Sequence, residues 1–425
     1  MSVLARVLPV LKLYLTAVKV LFYQLLHKPF AVPALPKQHG KVAIVTGGAR
    51  GLGYAIVRQL AGLGMHVIIA SHDKKQGLAA VKSIREEQSR ALVVAAEEIL
   101  RSFWVCRFLA EIIEWVAIRP PDWPEEQQGL PTPAVCEQGS LLLIIVLNLT
   151  ATKVRFVVSL GLSLSPPPHL SVDFEFVDLA SLSSVRQFVC RFQAQGLPLH
   201  VLINNAAVML VPEGKTDDGF ELHFATNYLG HFLLTRFLLD TLVHSGKDEA
   251  CSRIISISSS AHYTADKDFL FFRSMQHYSA HGAYAHSKLA QVLFTYRLQQ
   301  ELQSSGCAVT ASAVDPGVVD THLYRNLSTP ARLAQRLIAH LLFRSPAQAA
   351  ATAVYAAASP ELEGVGGCYL YEGKRVSSSA LSYDVELQAQ LWRRSCSLLG
   401  LADSLYVYQA KRGGGGGGAY TNLSL

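Results

Sequence analysis

The sequence predicts an α/β fold: a doubly wound parallel sheet with helices on both faces. Three observations predict it. From Lys41 onward, short apolar runs recur that are too brief for helices, as expected of strands buried on both sides. Stretches of helical period separate them, which is the alternation of βαβ units. The first run also ends in a glycine-rich turn that opens directly into a helical stretch. Together these describe an open parallel sheet covered on both faces.

KVAIVT (41–46) reads as the first strand and 51–63 as the helix after it. HVIIA (66–70) follows as a second strand, and 74–89 as a polar helix. VDFEFVD (172–178), HVLIN (200–204), RIISIS (253–258) and VTASAV (309–314) read as further strands. Residues 91–170 break this rhythm with Trp104, Trp115, Trp123, the strings PPDWP and SPPPH, and an apolar run without amphipathic period at 141–151. A crossover of this kind needs only a short loop, so 91–170 reads as an irregular insertion on the rim of the sheet. It is an extra lobe, a second membrane contact or translated non-coding sequence. The last is favoured, because the segment carries no motif and its flanks join well without it. The domain is thus expected over 41–90 and 171–404, with a flexible glycine-rich tail over 405–425.

The composition, 50% hydrophobic and 16% charged, excludes a disordered chain. Of the net charge of +6, five units come from Arg6, Lys12, Lys19, Lys28 and Lys37 within residues 1–40, which hold no acid. The nearly neutral remainder cannot supply the basic stripe that nucleic acid requires. The seven cysteines are odd in number and lack C-x-x-C spacing, so reduced thiols and no metal site are expected. Residues 3–28 are strongly apolar but interrupted by Arg6, Lys12 and Lys19. They read as a membrane-associated helix lying in the interface, followed by a Pro-rich linker over 31–40. A signal peptide and a helix packed on the domain are the alternatives.

The first strand runs into Thr46 and Gly47, with Gly51 and Gly53 behind them. Glycine there permits a tight turn and close approach of backbone to a pyrophosphate, at which the next helix aims its N-terminal N–H groups. Arg50 and Leu52 belong to the same turn. At the end of the second strand an acid would favour NAD and an arginine NADP; Ser71 and His72 stand there and exclude neither. Asp178 and Leu179 end the third strand, where a carboxylate can accept from an adenine amino group. Asn204, Asn205, Ala206 and Ala207 end the fourth, and strand-end capping is the plain alternative for these asparagines and Asp178. Tyr284 and Lys288 are one helical turn apart and project from one face. A phenol is a poor acid or base near neutral pH, and a neighbouring ammonium would lower its pKa. Ser259 follows the fifth strand and can bind a substrate oxygen. Asn227 can hold a water that passes protons to Lys288. Pro316, Gly317, Val319 and Thr321 form a turn that can meet a carboxamide. Residues 328–345 space Arg332, Arg336, His340 and Arg344 four apart among leucines. They read as an exposed amphipathic helix with a basic stripe, or as a membrane-lying lip for a lipid substrate.

These motifs in this order resemble the short-chain dehydrogenase/reductase family. The resemblance implies a Rossmann-type domain, hydride transfer with NAD or NADP and a catalytic tetrad of Asn227, Ser259, Tyr284 and Lys288, in which Lys288 binds the cofactor ribose. It also implies a possible homodimer paired through the helices that carry Asn227 and Tyr284. The family's N-N-A-G reads NNAA here, so Ala207 adds a methyl. HVIIA, PLHVLINNA, NYLGHFLLT, VDPGVV and PELEGVGGCYLY are similar to members acting on long-chain isoprenoid alcohols. That similarity implies polyprenol and dolichal as substrates, and a place on the endoplasmic reticulum or a lipid droplet with the catalytic domain facing the cytosol. Retinoid or steroid chemistry is the alternative, as is a non-catalytic cofactor-binding protein.

Overall fold

A computed structural model describes residues 3–91, 94, 172–247, 250–266, 278–327 and 329–404. They belong almost wholly to a compact unit of Met1–Glu86 and Leu170–Leu425. The second unit, Glu87–His169, holds nearly all of the 91–170 insertion. Apart from residues 91 and 94, that insertion lies outside the described residues, as does the 405–425 tail.

Among the described residues, eight strands form one sheet in the order β3-β2-β1-β4-β5-β6-β7-β8. They are β1 (Val42–Thr46), β2 (His66–Ser71), β3 (Val172–Phe176), β4 (Val201–Asn204), β5 (Ser252–Ile257), β6 (Val309–Asp315), β7 (Tyr369–Tyr371) and β8 (Lys374–Arg375). All neighbours pair in parallel except β7 and β8, which form an antiparallel hairpin. The chain winds one way through β2 and β3 and the other way from β4, so a crevice opens at the carboxyl ends of β1 and β4. Register pairs Thr46 with Ala70, and Val45 with Ile203, which brings those strand ends to one edge.

The central strands β1, β4, β5 and β6 are buried on both faces because helices cover both. The helices are α1 (Val3–Leu26), α2 (Gly51–Gly62), α3 (74–91), α4 (Leu182–Ala194), α5 (Gly230–Ser245), α6 (Ala280–Ser304), α7 (Thr329–Leu342), α8 (Pro346–Ala358) and α9 (Val385–Leu399). On one face Ile44, Leu202 and Ile254 pack with Phe188, Phe232, Leu293 and Trp392 from α4, α5, α6 and α9. On the other, Val45, Ile203 and Ile255 pack with Ile56, Leu60 and Val354 from α2 and α8. The alanines of α8 let it approach α2 closely, and a reciprocal cap between Ser345 and Gln348 starts it. Trp392 of α9 stacks on Phe294 of α6 and meets Phe232 of α5 edge-on. Part of the helix pair through which two copies were expected to pair is therefore covered by this chain's own C-terminal helix.

Three details differ from the sequence reading. β7 and β8, of three and two residues, are too short to leave a periodic signal. β3 stops at Phe176, so Asp178 lies two residues past the strand, where its Oδ1 accepts from Ala180 N at 2.9 Å and turns the chain into α4. Arg344 is not part of a solvated stripe. α7 ends at Leu342, and Arg344 is buried, paired with Glu372 at 3.1 Å and donating to His27 O at 3.0 Å. Leu333 and Ile338 of α7 are exposed, and Arg332 is half-buried. The side chains of Arg336 and His340 lie outside the described ones.

The N-terminal segment is one helix with two unlike faces. Its inner face packs on the 3₁₀ turn Ser260–Thr264 and on the start of α6, where Tyr14 meets His281. Its outer face leaves Leu11, Leu15, Val18, Phe22, Leu25 and Leu26 between 50% and 64% exposed. Among the described residues, no helix is long and apolar enough to cross a membrane.

Candidate active site

The crevice is built around the end of β1. Thr46 Oγ1 accepts from Asn205 N at 2.8 Å and Ala206 N at 3.0 Å, while Asn205 Nδ2 donates to Thr46 O at 2.7 Å. This stitches the first and fourth strand ends together. The Thr46 hydroxyl also lies 2.9 Å from His231 Nε2, and the other ring nitrogen faces Asn227 O at 3.0 Å. Burial pulls the His231 pKa down to about 4, so the ring is neutral. With Nδ1–H donating to Asn227 O, Nε2 accepts from Thr46.

The glycines are where backbone conformation and space demand them. Gly47 and Gly51 have φ of +66° and +56°, the left-handed region that favours glycine. A Cβ on Gly47 would stand 3.0 Å from Ala206 Cα, and one on Gly53 only 2.3 Å from Gly47 O. A Cβ on Gly51 would stand 3.3 Å from Thr321 Cγ2, so the turn and the 316–321 loop face each other. Arg50 precedes α2 without a side-chain cap, which leaves the first N–H groups of the helix without that partner. Its guanidinium reaches Gln76 Oε1 at 3.4 Å, and Leu52 is half-buried. Ser71 is buried and accepts from Asp73 N at 3.3 Å, while His72 is exposed. Leu179 is buried, with its carbonyl set where a Cβ on Gly230 would come within 2.3 Å. Asn204 Nδ2 donates to Thr235 at 3.0 Å, and its Oδ1 is buried without a partner. Gly317 has φ +75°, Val319 is buried against the Arg344 backbone, and Thr321 caps the turn His322–Asn326.

The tetrad residues gather at the same edge. Asn227 sits on a π turn, Phe224–Leu229, the kind of helical bulge that recurs at functional sites. Its side chain clamps Val208, accepting from its N at 2.8 Å and donating to its O at 2.9 Å, and donates to Ser287 Oγ at 2.9 Å. Asn227 thus fixes loop 208–211, where Leu210 has φ +53°, a strained value for leucine. Asn326 Nδ2 holds Met209 O at 2.8 Å, and Tyr278 OH holds Val211 O at 3.1 Å. Lys288 Nζ donates to Ile257 O at 2.8 Å and Gln291 Oε1 at 2.9 Å, with no direct bond to Asn227.

Tyr284 and Lys288 share one face of α6, with Nζ 5.8 Å from the ring centroid. Both are buried, and the Tyr284 hydroxyl hydrogen-bonds Ser259. Burial pushes the phenol pKa up, the nearby Asp315 carboxylate adds to this, and the Ser259 bond offsets part of it. Burial thus opposes the lowering expected of a neighbouring ammonium. Burial itself brings the Lys288 pKa down to about 7, with Asp315 opposing. Asp315, buried at the end of β6, accepts from Tyr369 OH and from Gly317 N, each at 2.9 Å.

A pH dependence follows. Between about pH 7 and 10.5 the unfolded chain keeps a lysine proton that the folded chain has released, so this group adds stability as pH rises through that window. Below it, the buried ammonium is a penalty. Lys288→Met is therefore expected to melt higher relative to the parent at about pH 6 than at about pH 9. Thermal melts at both pH values check this, and a constant gap contradicts it.

Sequence reasoning missed Asp315, Gln291 and the enclosure of Tyr284. Asp315 had a signal, standing at a strand end as the chosen residues do. The enclosure had none. Met209, Ala261 and Tyr284 form a small apolar cluster with Leu210, Leu323, Tyr324 and Leu13 of the N-terminal helix, from segments far apart in the chain.

The chain matches the short chain dehydrogenase family over residues 41–101 and 168–331. It belongs to that family. Polyprenol dehydrogenase from Danio rerio is 47% identical over 395 residues, 93% of this chain and 98% of that protein. Polyprenol dehydrogenase from Homo sapiens is 39% identical over 406 residues, 95% and 99% of the two. Retinol dehydrogenase 12 from Mus musculus is 42% identical over 225 residues, 53% of this chain and 69% of that one. Among solved structures, an uncharacterized protein from Mycobacterium paratuberculosis superposes with a TM-score of 0.54 at 25% identity, covering 88% of this chain and 98% of that chain. As a short-chain dehydrogenase the protein is an oxidoreductase that takes a nicotinamide dinucleotide. The residues present fit that group: Gly47, Gly51 and Gly53 leave a cradle that side chains would fill, beside an uncapped helix start.

Proposed function

We propose that this short-chain dehydrogenase interconverts a long-chain isoprenoid alcohol and its aldehyde: polyprenol to polyprenal with NAD, and dolichal to dolichol with NADPH, within dolichol biosynthesis. The observation that carries the reading is the apolar enclosure of Tyr284. Met209, Leu210, Ala261, Leu323 and Leu13 surround a phenol that holds Ser259, so a carbinol oxygen would meet two hydroxyls at the foot of a hydrocarbon-lined site. Relatives named polyprenol dehydrogenase align at 47% and 39% identity over nearly the whole chain, whereas retinol dehydrogenase 14 from Homo sapiens aligns over 85% of it at only 32%.

A bound nicotinamide cofactor would supply the hydride chemistry at the carbinol or carbonyl carbon. Thr46, Gly47, Gly51, Gly53, Asn205 and the 316–321 loop hold it in this reading. Tyr284 takes the hydroxyl proton in oxidation and gives one back in reduction, Ser259 orients the oxygen, and Asn227 keeps loop 208–211 in place. Ser71 and His72 bring no carboxylate to the end of β2, and Arg50 lies nearby, which supports use of both cofactors. The exposed stripe of α1 from Leu11 to Leu26 supports seating on the cytosolic surface of the endoplasmic reticulum or a lipid droplet.

Purified full-length chain is assayed side by side with polyprenol, dolichal, retinal and a ketosteroid, using NAD(H) and NADP(H). Higher kcat/KM for the isoprenoids is expected. A preference for retinal would favour the second reading, which rests on the retinol dehydrogenase relatives.

A further inference from the structure

We propose that Gln24, on the N-terminal helix, is a positioning residue for the cofactor loop, so that α1 is an element of the active site as well as a surface for lipid. This rests on the assignment of residues 316–321 to the nicotinamide cofactor. Gln24 is the polar exception in the stretch VLFYQLL, and it points inward: it is 3% exposed, while Phe22 and Leu25 beside it are 62% and 59% exposed. Its Oε1 accepts from Val318 N at 3.0 Å, and its Nε2 donates to Val318 O at 3.3 Å. The carboxamide also lies against Gly317, where a Cβ would stand 3.3 Å from Cδ, Nε2 and Oε1 alike. One side chain, 294 residues away in sequence, therefore satisfies both backbone groups of Val318 and packs on the left-handed glycine before it.

The loop has a second support on its other side. Arg344 N donates to Val318 O at 2.9 Å, and Asp320 N donates to Arg344 O at 3.1 Å. Arg344 in turn ties back to the end of α1, donating to His27 O at 3.0 Å and pairing with Glu372 at 3.1 Å. Glu372 accepts from Phe30 N at 2.7 Å, and the Phe30 ring lies edge-on to Tyr355. The end of α1 is thus latched to the sheet independently of Gln24. Loss of the Gln24 carboxamide loosens the loop at Val318 without releasing the helix: Val318 O keeps its Arg344 partner and Val318 N loses its own.

A positioning role and a purely structural one differ in what they move. If Gln24 sets the loop, its loss weakens cofactor binding and leaves the melting temperature and the pH profile of Tyr284 chemistry nearly unchanged. The experiment uses full-length protein in phosphatidylcholine vesicles, with NADH and NADPH titrated by fluorescence and steady-state turnover measured. Gln24→Met keeps length and packing without hydrogen bonds, and cofactor Kd and KM are expected to rise about tenfold, with kcat changing less than threefold. Gln24→Glu keeps an acceptor for Val318 N and is expected to fall between Met and the parent. Should the Met variant fail to fold, a raised cofactor KM in Gln24→Glu at an unchanged melting temperature supports the role, and an unchanged KM overturns it. Gln24→Met with parental cofactor KM, or with kcat lost and cofactor KM intact, overturns it too. If the parent chain itself binds neither NADH nor NADPH, the reading of the site falls, and the inference with it.

Discussion

Tyr284→Phe is expected to reduce turnover on the order of 10³-fold while leaving the cofactor Kd within about twofold of the parent. The substitution removes one oxygen from a residue buried in the cluster of Met209 and Ala261, so the ring still fills its place. What disappears is the hydroxyl that bonds Ser259, and with it the only group in the reading that exchanges the substrate proton. The cradle at Gly47–Gly53 is built from other elements and has no reason to change. Single-turnover measurements with NADPH titration separate the two effects. Near-normal turnover in this variant would remove Tyr284 from its catalytic role.

Gly53→Ala is expected to abolish measurable cofactor binding and to lower the melting temperature. The new methyl would be placed 2.3 Å from Gly47 O and 2.6 Å from Asn205 Nδ2, both parts of the turn itself. Neither can step aside alone: Gly47 N is held by Ala70 O at 2.7 Å, and Asn205 Nδ2 by Thr46 O at 2.7 Å. Relief requires the turn to open, and overpacking of this kind costs about 1–3 kcal/mol. Gly62→Ala is the matched control, since the same methyl meets nothing within 4 Å there. It is expected to bind cofactor as the parent does; equal loss in both variants would show that the effect is not local to the turn.

Much of this is legible in the sequence. The strand runs are short, apolar and evenly interrupted, so β1, β2, β4, β5 and β6 can be placed within a residue or two. Thr46, Gly47, Gly51 and Gly53 are legible because the turn chemistry is local. Tyr284 and Lys288 are legible because one helical turn is a sequence distance. The illegible parts are those made by the fold. Leu13 and Gln24 sit in a stretch whose composition announces a lipid surface, and that signal hides the inward face. The lysine charge expected to act on Tyr284 depends on burial, which no local spacing encodes. Arg344 looked like the fourth member of a stripe, until the chain left the helix and delivered it to Glu372.

Among the described residues the third strand stands at the margin of the sheet, where β3 borders β2 alone. It is pinned there by Arg85, whose guanidinium donates to Val172 O and to Asp173 Oδ1, each at 2.8 Å. A longer connection into an edge strand breaks none of the pairings among β1, β4, β5 and β6, and doubling the length of a flexible connection adds only about 0.6 kcal/mol of closure entropy. The junction around residues 91–170 is thus a natural seam for engineering: a place to splice in a reporter, or to divide the polypeptide into two fragments that reassemble.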